Sequence, residues 1–404
     1  MPEVFRYIQT DAELTGIVPQ LAKAASLAFD LEFDRDRHTY GFDLCLIQVA
    51  TPQDCYVIDP ASIEDLTPIW QIFENPGIHK LVHCPGEDMR LLHQLQCYPK
   101  NLTDTEVIAK LLNYEQTSLA RMLELKCSIQ LDKKMQQSNW YKRPLSHEQL
   151  RYAADDVLHL HNLFKILYAE AEAQNLTTWV NEESDWLQQV RYYTEERSNF
   201  LKPADLRNLS PKNQYILQQM FLLRDGLARQ KNKPAYMIMP EETLREWAEL
   251  HPLQLEYVDT HRLHPSIRRG NILQQIKQKM VTFHEEADRL KLGNKVVRET
   301  FSATEKQRFY AQKEQQSFLK TNWFGPVQQT LCEQVGQFAG RYILSNAWIN
   351  KWLQGEVLLS DLKPAYKWQL IESIARQKSL DPTDLQTYEN NFGKMQNTPN
   401  NSVL

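Results

Sequence analysis

The sequence predicts a mixed β-sheet covered by helices, followed by a second half built from helices alone. Three observations lead there. Short β-branched and apolar runs recur as far as His83, each bounded by turn residues. Helical spacing then takes over, and no strand signal returns beyond residue 174. From Ser210 onward, caps and prolines punctuate one helical stretch after another.

Ser26 to Phe33 (SLAFDLEF) reads as the first strand. Asp43 to Ala50 (DLCLIQVA) and Asp54 to Ile58 (DCYVI) follow, with Thr51-Pro52 as the turn between them, and Lys80 to His83 (KLVH) is a fourth, short strand. Helical patterns run from about Asp88 to Leu95, Asp104 to Leu112 and Gln116 to Leu125. Neighbouring strands joined by few residues, then strand–helix alternation, suit a mixed sheet with helices packed on it. A longer helical pattern opens at Ser146, where Gln149 completes a capping box, and continues to about Ala173. Ser210-Pro211, a cap followed by proline at the first helical position, opens a helix to about Gln230. The expected organisation is a first domain over 1–175, a helical linker over 176–205, helical domains over 206–285 and 300–385, and a polar tail over 386–404.

The chain has 404 residues, enough for two or three domains of ~100–200 residues each. Its apolar runs fall far short of the ~20 residues that span a bilayer, and its first residues lack a basic start followed by an apolar stretch. A cytoplasmic protein is expected, with no membrane partner. Cysteines 45, 55, 84, 97, 127 and 332 form no CxxC pair, so free thiols are expected and no zinc site. The net charge of −5 conceals an asymmetry. Residues 1–200 carry 18 Lys and Arg against 30 Asp and Glu, whereas residues 201–300 carry 17 against 12. An acidic first half joined to a basic segment fits a carboxylate-rich catalytic domain beside a module that touches phosphates, and equally an uneven surface.

Three acidic elements carry the chemistry. Asp30 and Glu32, at i and i+2 of a strand, share one face while Leu27, Phe29, Leu31 and Phe33 take the other. Alone, that pattern also describes a strand edge meeting water. Asp88 begins a helix after LVHC, where an acid commonly just answers the helix dipole. In YAADD, Asp156 falls about 40° round the helix from Tyr152, so the two share a face, while Asp155 at about 300° is expected to face solvent. Together, four carboxylates in this order suit two divalent cations about 4 Å apart. Magnesium prefers oxygen ligands and takes few from the protein, the rest coming from water and phosphate.

These segments, FDLEF at 29–33, HCPGEDMRLL at 83–92 and QQSNWYKRPLSHEQLRYAADDV at 136–157, resemble the ribonuclease D family, the tyrosine (DEDDy) branch of the DnaQ-like 3′→5′ exonucleases. The branch is marked by Tyr152 four residues before Asp156, and position 151 is Arg rather than the His of the other branch. The resemblance implies a ribonuclease-H-like fold over roughly 1–175. It implies two Mg²⁺ (or Mn²⁺) ions held by Asp30, Glu32, Asp88 and Asp156, with Asp30 bridging both and Tyr152 orienting the attacking water. The implied reaction releases nucleoside 5′-monophosphates from a free RNA 3′ end, tRNA precursors being the favoured substrate, by a monomeric enzyme. Residues 209–250, and more thinly the chain on to about 285, resemble the HRDC domain that follows the nuclease in this family, implying an HRDC domain over 206–285 with an auxiliary RNA contact; residues 300–385 look by position like a degenerate second one.

Trp140, Lys142 and Arg143, just before the catalytic helix, are candidate RNA contacts, as are Arg224, Arg229, Lys231, Lys233 and Tyr236 in the HRDC-like segment. Each set also reads as a loop anchor or as locally paired charge. His83 and His147 read as structural, and Gln48 as a weak candidate for the site. A DNA 3′→5′ exonuclease and a catalytically silent RNA-binding protein are the alternatives. The acidic constellation lies wholly within 30–156, so the chemistry is expected to survive loss of everything after about residue 200.

Overall fold

A computed structural model describes residues 4–132, 134–192, 200–297 and 302–392. Its sheet has six strands, β1 (Arg6–Ile8), β2 (Ser26–Arg35), β3 (Phe42–Ala50), β4 (Cys55–Ile58), β5 (His79–Val82) and β6 (Leu102–Asp104), in the order β1-β4-β3-β2-β5-β6. β3 and β4 pair antiparallel, while β1 with β4, β2 with β5 and β5 with β6 are parallel. The mixed sheet is therefore as expected. β1 and β6 escape the sequence pattern because three residues are too few to display an alternation.

The helices that follow or interrupt the strands are α1 (Asp11–Lys23), α2 (Thr67–Glu74), α3 (Gly86–Gln94), α4 (Thr105–Leu111), α5 (Leu119–Cys127), α6 (His147–Leu158), α7 (Leu160–Ala173) and α8 (Thr177–Gln189). The Ser146–Gln149 capping box is present in both directions and fixes where α6 starts. Ala28, Leu46, Val57 and Leu81 of the sheet share a core with Ala153, Ala154 and Val157 of α6 and with Leu160, Leu163 and Leu167 of α7. Two adjacent alanines let α6 lie close on the strands, a placement that larger side chains would forbid.

The described residues form two compact units. The first takes the chain up to Glu32, Leu44–Tyr193 and the part from Ser302 onward; the second takes Phe33–Asp43 and Thr194–Phe301. The second unit contains α9 (Pro203–Asn208), α10 (Pro211–Lys231), α11 (Ala235–Ile238), α12 (Glu241–Ala248) and α13 (Gly270–Arg289), around a core that includes Leu217, Phe221, Trp247 and Met280. Within it, the tip of the β2–β3 hairpin is held: the Tyr40 hydroxyl donates to Asp225 at 2.9 Å and its N–H to Asn232 Oδ1 at 3.2 Å.

The remaining helices are α14 (Ala303–Phe318), α15 (Gly325–Val335), α16 (Gln337–Ile343), α17 (Asn346–Leu353), α18 (Ala365–Gln377) and α19 (Thr383–Phe392). They belong to the same unit as the sheet, which corrects two expectations. The linker expected over 176–205 begins as a packed helix. In α8, Val180 is buried, and Glu183 accepts from the Tyr366 hydroxyl at 2.7 Å and pairs with Lys367 at 2.8 Å. Trp179 stacks on Tyr366 with ring centres 4.9 Å apart. The polar tail expected from 386 is folded as far as 392: Tyr388 is buried and donates to the Leu353 carbonyl at 2.7 Å. Polar composition concealed a single inward stripe, Leu385 and Tyr388. Residues 393–404 lie outside the described residues.

Gly336 shows how close this packing is. Its φ of +94° suits glycine, and a Cβ there would lie 2.2 Å from Asn113 Cγ. The Asn113 side chain accepts from the N–H groups of Phe338 and Ala339 at 2.7 and 3.1 Å, capping α16 from the half that carries the sheet. Among the described residues, no helix is long and apolar enough to cross a membrane. All six cysteines are free thiols.

Candidate active site

Three elements bring the acids together. On β2, Leu27, Phe29 and Leu31 are buried on one side, with Phe29 stacked on Phe73 at 4.3 Å. Alternation then puts Asp30 and Glu32 on the other side, toward α6. Asp88, in the first turn of α3, is buried, and its carboxylate accepts from the Leu31 N–H, tying α3 to β2. Tyr152 and Asp156 sit one turn apart on α6, and the tyrosine hydroxyl donates to the Asp156 carboxylate.

The electrostatics show that these groups share one space. Burial pushes the Asp30 carboxyl up to about 7. Burial also raises Glu32 well above the carboxylate range, and the charges of Asp30, Asp156 and Asp88 add to it. Asp88 is raised by burial and then by Asp30, while Asp156 is raised by burial, then by Asp30, Asp155 and Asp88. Like charges gathered in a shielded place resist ionisation together. Tyr152 is driven well above its ordinary value by burial and then by Asp156, Glu32 and Asp30, so it keeps its proton.

Asp155 differs from the expectation of a solvent-facing acid. It is half-buried, paired with Arg151 at 3.0 Å, and near enough to Cys55 to help burial raise that thiol to about 12. The helical wheel alone did not register that β4 lies under this side of α6.

The expected RNA contacts divide. Trp140 is buried, its ring 5.9 Å from that of Tyr152, so it packs under the catalytic helix and offers no face to a base. Arg143 spends all five donor hydrogens internally: on Asp59 at 2.6 and 2.7 Å and on the carbonyls of Trp140, Lys142 and Cys45. It is an anchor and not a phosphate ligand. Arg224 is buried as well, over the Phe221 ring and donating to the Met239 carbonyl at 3.2 Å. Lys142 is exposed. Arg229 lies on the surface, 3.8 Å from Asp225, and Lys231 and Lys233 are half-buried at the end of α10. Tyr236 is exposed, with its hydroxyl 3.4 Å from the Arg37 carbonyl.

His83 is structural: its ring lies 2.8 Å from Thr105 Oγ1 and 2.9 Å from the Thr117 carbonyl, and burial lowers it to about 4. Gln48 is fully buried on β3, in register with Val57 of β4. The Asp59–Arg143 pair left no sequence signal, because 84 residues separate its partners.

A converging set of buried and half-buried carboxylates on a ribonuclease-H-like sheet, with a tyrosine one turn before the last of them, defines a 3′→5′ exonuclease. Comparison with known proteins agrees. The family model described as "3'-5' exonuclease" matches residues 5–172, and the HRDC domain model matches residues 213–259. Ribonuclease D of Desulfotalea psychrophila is 30% identical over 254 residues, spanning 62% of this chain and 68% of that protein. Ribonuclease D of a Shewanella species is 35% identical over 193 residues, 47% of this chain and 50% of its own length. The crystal structure of Escherichia coli RNase D, described as an exoribonuclease involved in structured RNA processing, superposes with a TM-score of 0.67 at 22% identity, covering 92% of this chain and 99% of that one. The chain belongs to the ribonuclease D family and is a 3′→5′ exoribonuclease, a hydrolase of RNA.

Proposed function

We propose that this enzyme removes nucleoside 5′-monophosphates from free RNA 3′ ends, tRNA precursors among them, as a monomer, with two divalent cations of the Mg²⁺ class held by Asp30, Glu32, Asp88 and Asp156. The observation that carries this reading is the convergence of four carboxylates from β2, α3 and α6, all raised by burial and three of them, Glu32, Asp88 and Asp156, raised further by the charge of their neighbours. Such a set is unfavourable until cations offset it, and carboxylate oxygens are the ligands that hard cations prefer. Among the described residues, no three or more His, Cys, Asp or Glu side chains are gathered tightly enough to hold a metal ion by themselves. Ions that keep water and substrate oxygens in their shell need no such cluster.

When bound, the cations would acidify the attacking water and offset charge on the leaving oxygen. Asp30 would hold both ions, Glu32 and Asp156 the one nearer the water, and Asp88 the other. Tyr152, whose hydroxyl donates to Asp156 in the absence of metal, would orient the attacking water rather than deprotonate it, since a tyrosine of ordinary pKa ~10 is a poor base at neutral pH. The exposed Lys142 and Arg229, with the half-buried Lys231 and Lys233 of the HRDC domain, would steady the RNA backbone. Arg143, Trp140 and Arg224 act beneath the surface, and Tyr236 would offer its exposed ring.

The test is turnover of 3′-tailed tRNA, single-stranded RNA and single-stranded DNA, each with Mg²⁺ and with EDTA, by the wild type and by Asp30→Asn. The proposal expects metal-dependent release of 5′-monophosphates from RNA and a loss of roughly a thousandfold in Asp30→Asn with RNA affinity retained. Activity above a tenth of wild type in that variant would overturn the metal assignment.

A further inference from the structure

One helix of the first unit keeps its whole length at the surface. α14 opens on a complete Ser302–Glu305 capping box, yet none of its residues is buried. A soluble helix normally earns its stability by burying an apolar stripe. α14 instead exposes Phe309 (54%), Tyr310 (68%) and Phe318 (59%).

The pattern on its surface is specific. At 100° per residue, Lys306, Phe309, Tyr310, Lys313 and Ser317 fall within about 100° of one another, a single face. Phe309 and Tyr310 meet edge-on with centres 5.8 Å apart, and the Lys313 ammonium lies 5.6 Å from the Phe309 ring centre. Two aromatic planes are thus bracketed along the helix by two cations. The acids lie off this stripe: Glu305 is engaged at the cap, accepting from the Ser302 N–H at 2.7 Å, and Glu314 sits about 40° beyond Tyr310. Arg308 points roughly opposite.

We propose that this face of α14 is an auxiliary docking surface for single-stranded RNA, with bases stacking on Phe309 and Tyr310 while Lys306 and Lys313 meet the phosphates. Aromatic planes interleaved with cations are how proteins hold single strands without reading their sequence. Charge complementarity selects the occupant: the stripe carries two positive charges and no negative one, and the enzyme's own substrate is a polyanion with planar bases. A protein partner would be served by the aromatics but has no need of lysines at both ends of them. The inference rests on the exoribonuclease reading, and it adds a contact outside the domain that performs hydrolysis.

The test uses the full chain with short and long single-stranded oligoadenylates, turnover being read with Mg²⁺ and binding with EDTA. Phe309→Ala/Tyr310→Ala should bind the long oligomer about a hundredfold more weakly, since each of the two base–aromatic stacks is worth about one power of ten. Its kcat, and its KM for the short oligomer, should stay at wild-type values. Lys306→Gln/Lys313→Gln should lower the slope of log affinity against log salt by about 1.4. Arg308→Gln, on the opposite side of the same helix, should change neither. All these residues are exposed, so unfolding by the variants is not expected, and their melting curves verify it. Unchanged affinity for the long oligomer in the aromatic variant overturns the proposal, as does an equal loss in Arg308→Gln. If the wild type fails to degrade even the short oligomer, the nuclease reading falls instead, and the binding measurement in EDTA still judges α14.

Discussion

Replacing Arg143 by alanine separates an anchor from an RNA ligand, because the two roles predict opposite phenotypes. Asp59 is fully buried, and burial by itself raises its carboxyl, yet hydrogen bonds from Arg143 and Tyr7 hold it below its ordinary value. The pair is bidentate, at 2.6 and 2.7 Å, and the Tyr7 hydroxyl donates to the same carboxylate at 2.5 Å. Removing the guanidinium strands a buried charge, which costs about 3–5 kcal/mol, and also strips a donor from the Trp140, Lys142 and Cys45 carbonyls. The Arg143 side chain is itself 26% exposed, which draws the expectation to the lower end, about 3 kcal/mol. Urea denaturation monitored by tryptophan fluorescence would measure it, with RNA affinity determined at a temperature where the variant is folded. Asp59→Asn in the Arg143→Ala background should recover part of the loss, since it deletes the stranded charge. Unaltered stability combined with weakened RNA binding and a shallower salt dependence would refute the anchor role.

Asp156→Asn should abolish turnover, whereas Asp155→Asn should lose only the partly exposed i,i+4 pair with Arg151, worth about 0.5 kcal/mol, and keep its activity; steady-state rates decide, and the reverse pattern would mean α6 is rotated. In EDTA, Asp30 titrates near 7 in the fold against about 4 in an unfolded chain, so the folded state holds more protons between those values. Its stabilising contribution is therefore full below about 4 and lost as pH rises through 7. Melting curves of the wild type should decline over that window more steeply than those of Asp30→Asn, and parallel curves would contradict the assignment. Gly336→Ala combines a left-handed φ with a Cβ placed 2.2 Å from Asn113, so a loss of about 3 kcal/mol is expected in urea denaturation. Adding Asn113→Ala should relieve the clash but not the backbone strain.

The carboxylates were legible in the sequence because each sits in a local pattern: alternation on β2, a helix start on α3, and a one-turn repeat on α6. Local pattern also gave the four longer strands and the Ser146 cap. What it could not give were partners distant along the chain. Arg143 and Trp140 look like RNA contacts when read as neighbours of Lys142, but their fates are set by Asp59 and Tyr152. Arg224 shares a basic cluster in sequence with Arg229, yet the five positions between them turn α10 by about 140°, from a buried face to an exposed one. The C-terminal helices were expected to stand apart, because composition says nothing about a surface on α8 waiting for them. Expecting the chemistry to survive loss of everything after residue 200 overlooked Glu183, whose buried partners are Tyr366 and Lys367.

The two-part composition of the first unit has a consequence for how the protein is made. Tyr366 lies 183 residues downstream of the Glu183 it bonds. At ribosomal speeds of ~5–20 residues per second, about 10–40 s pass between the emergence of α8 and that of α18. Throughout that interval the nascent nuclease half carries Trp179 and Glu183 without Tyr366 and Lys367, while the 213–259 segment emerges in between with a core of its own. The middle of the chain can therefore reach its native state before the beginning does, and the exonuclease is completed last, when the final helices close over a surface left open since the first half was synthesised.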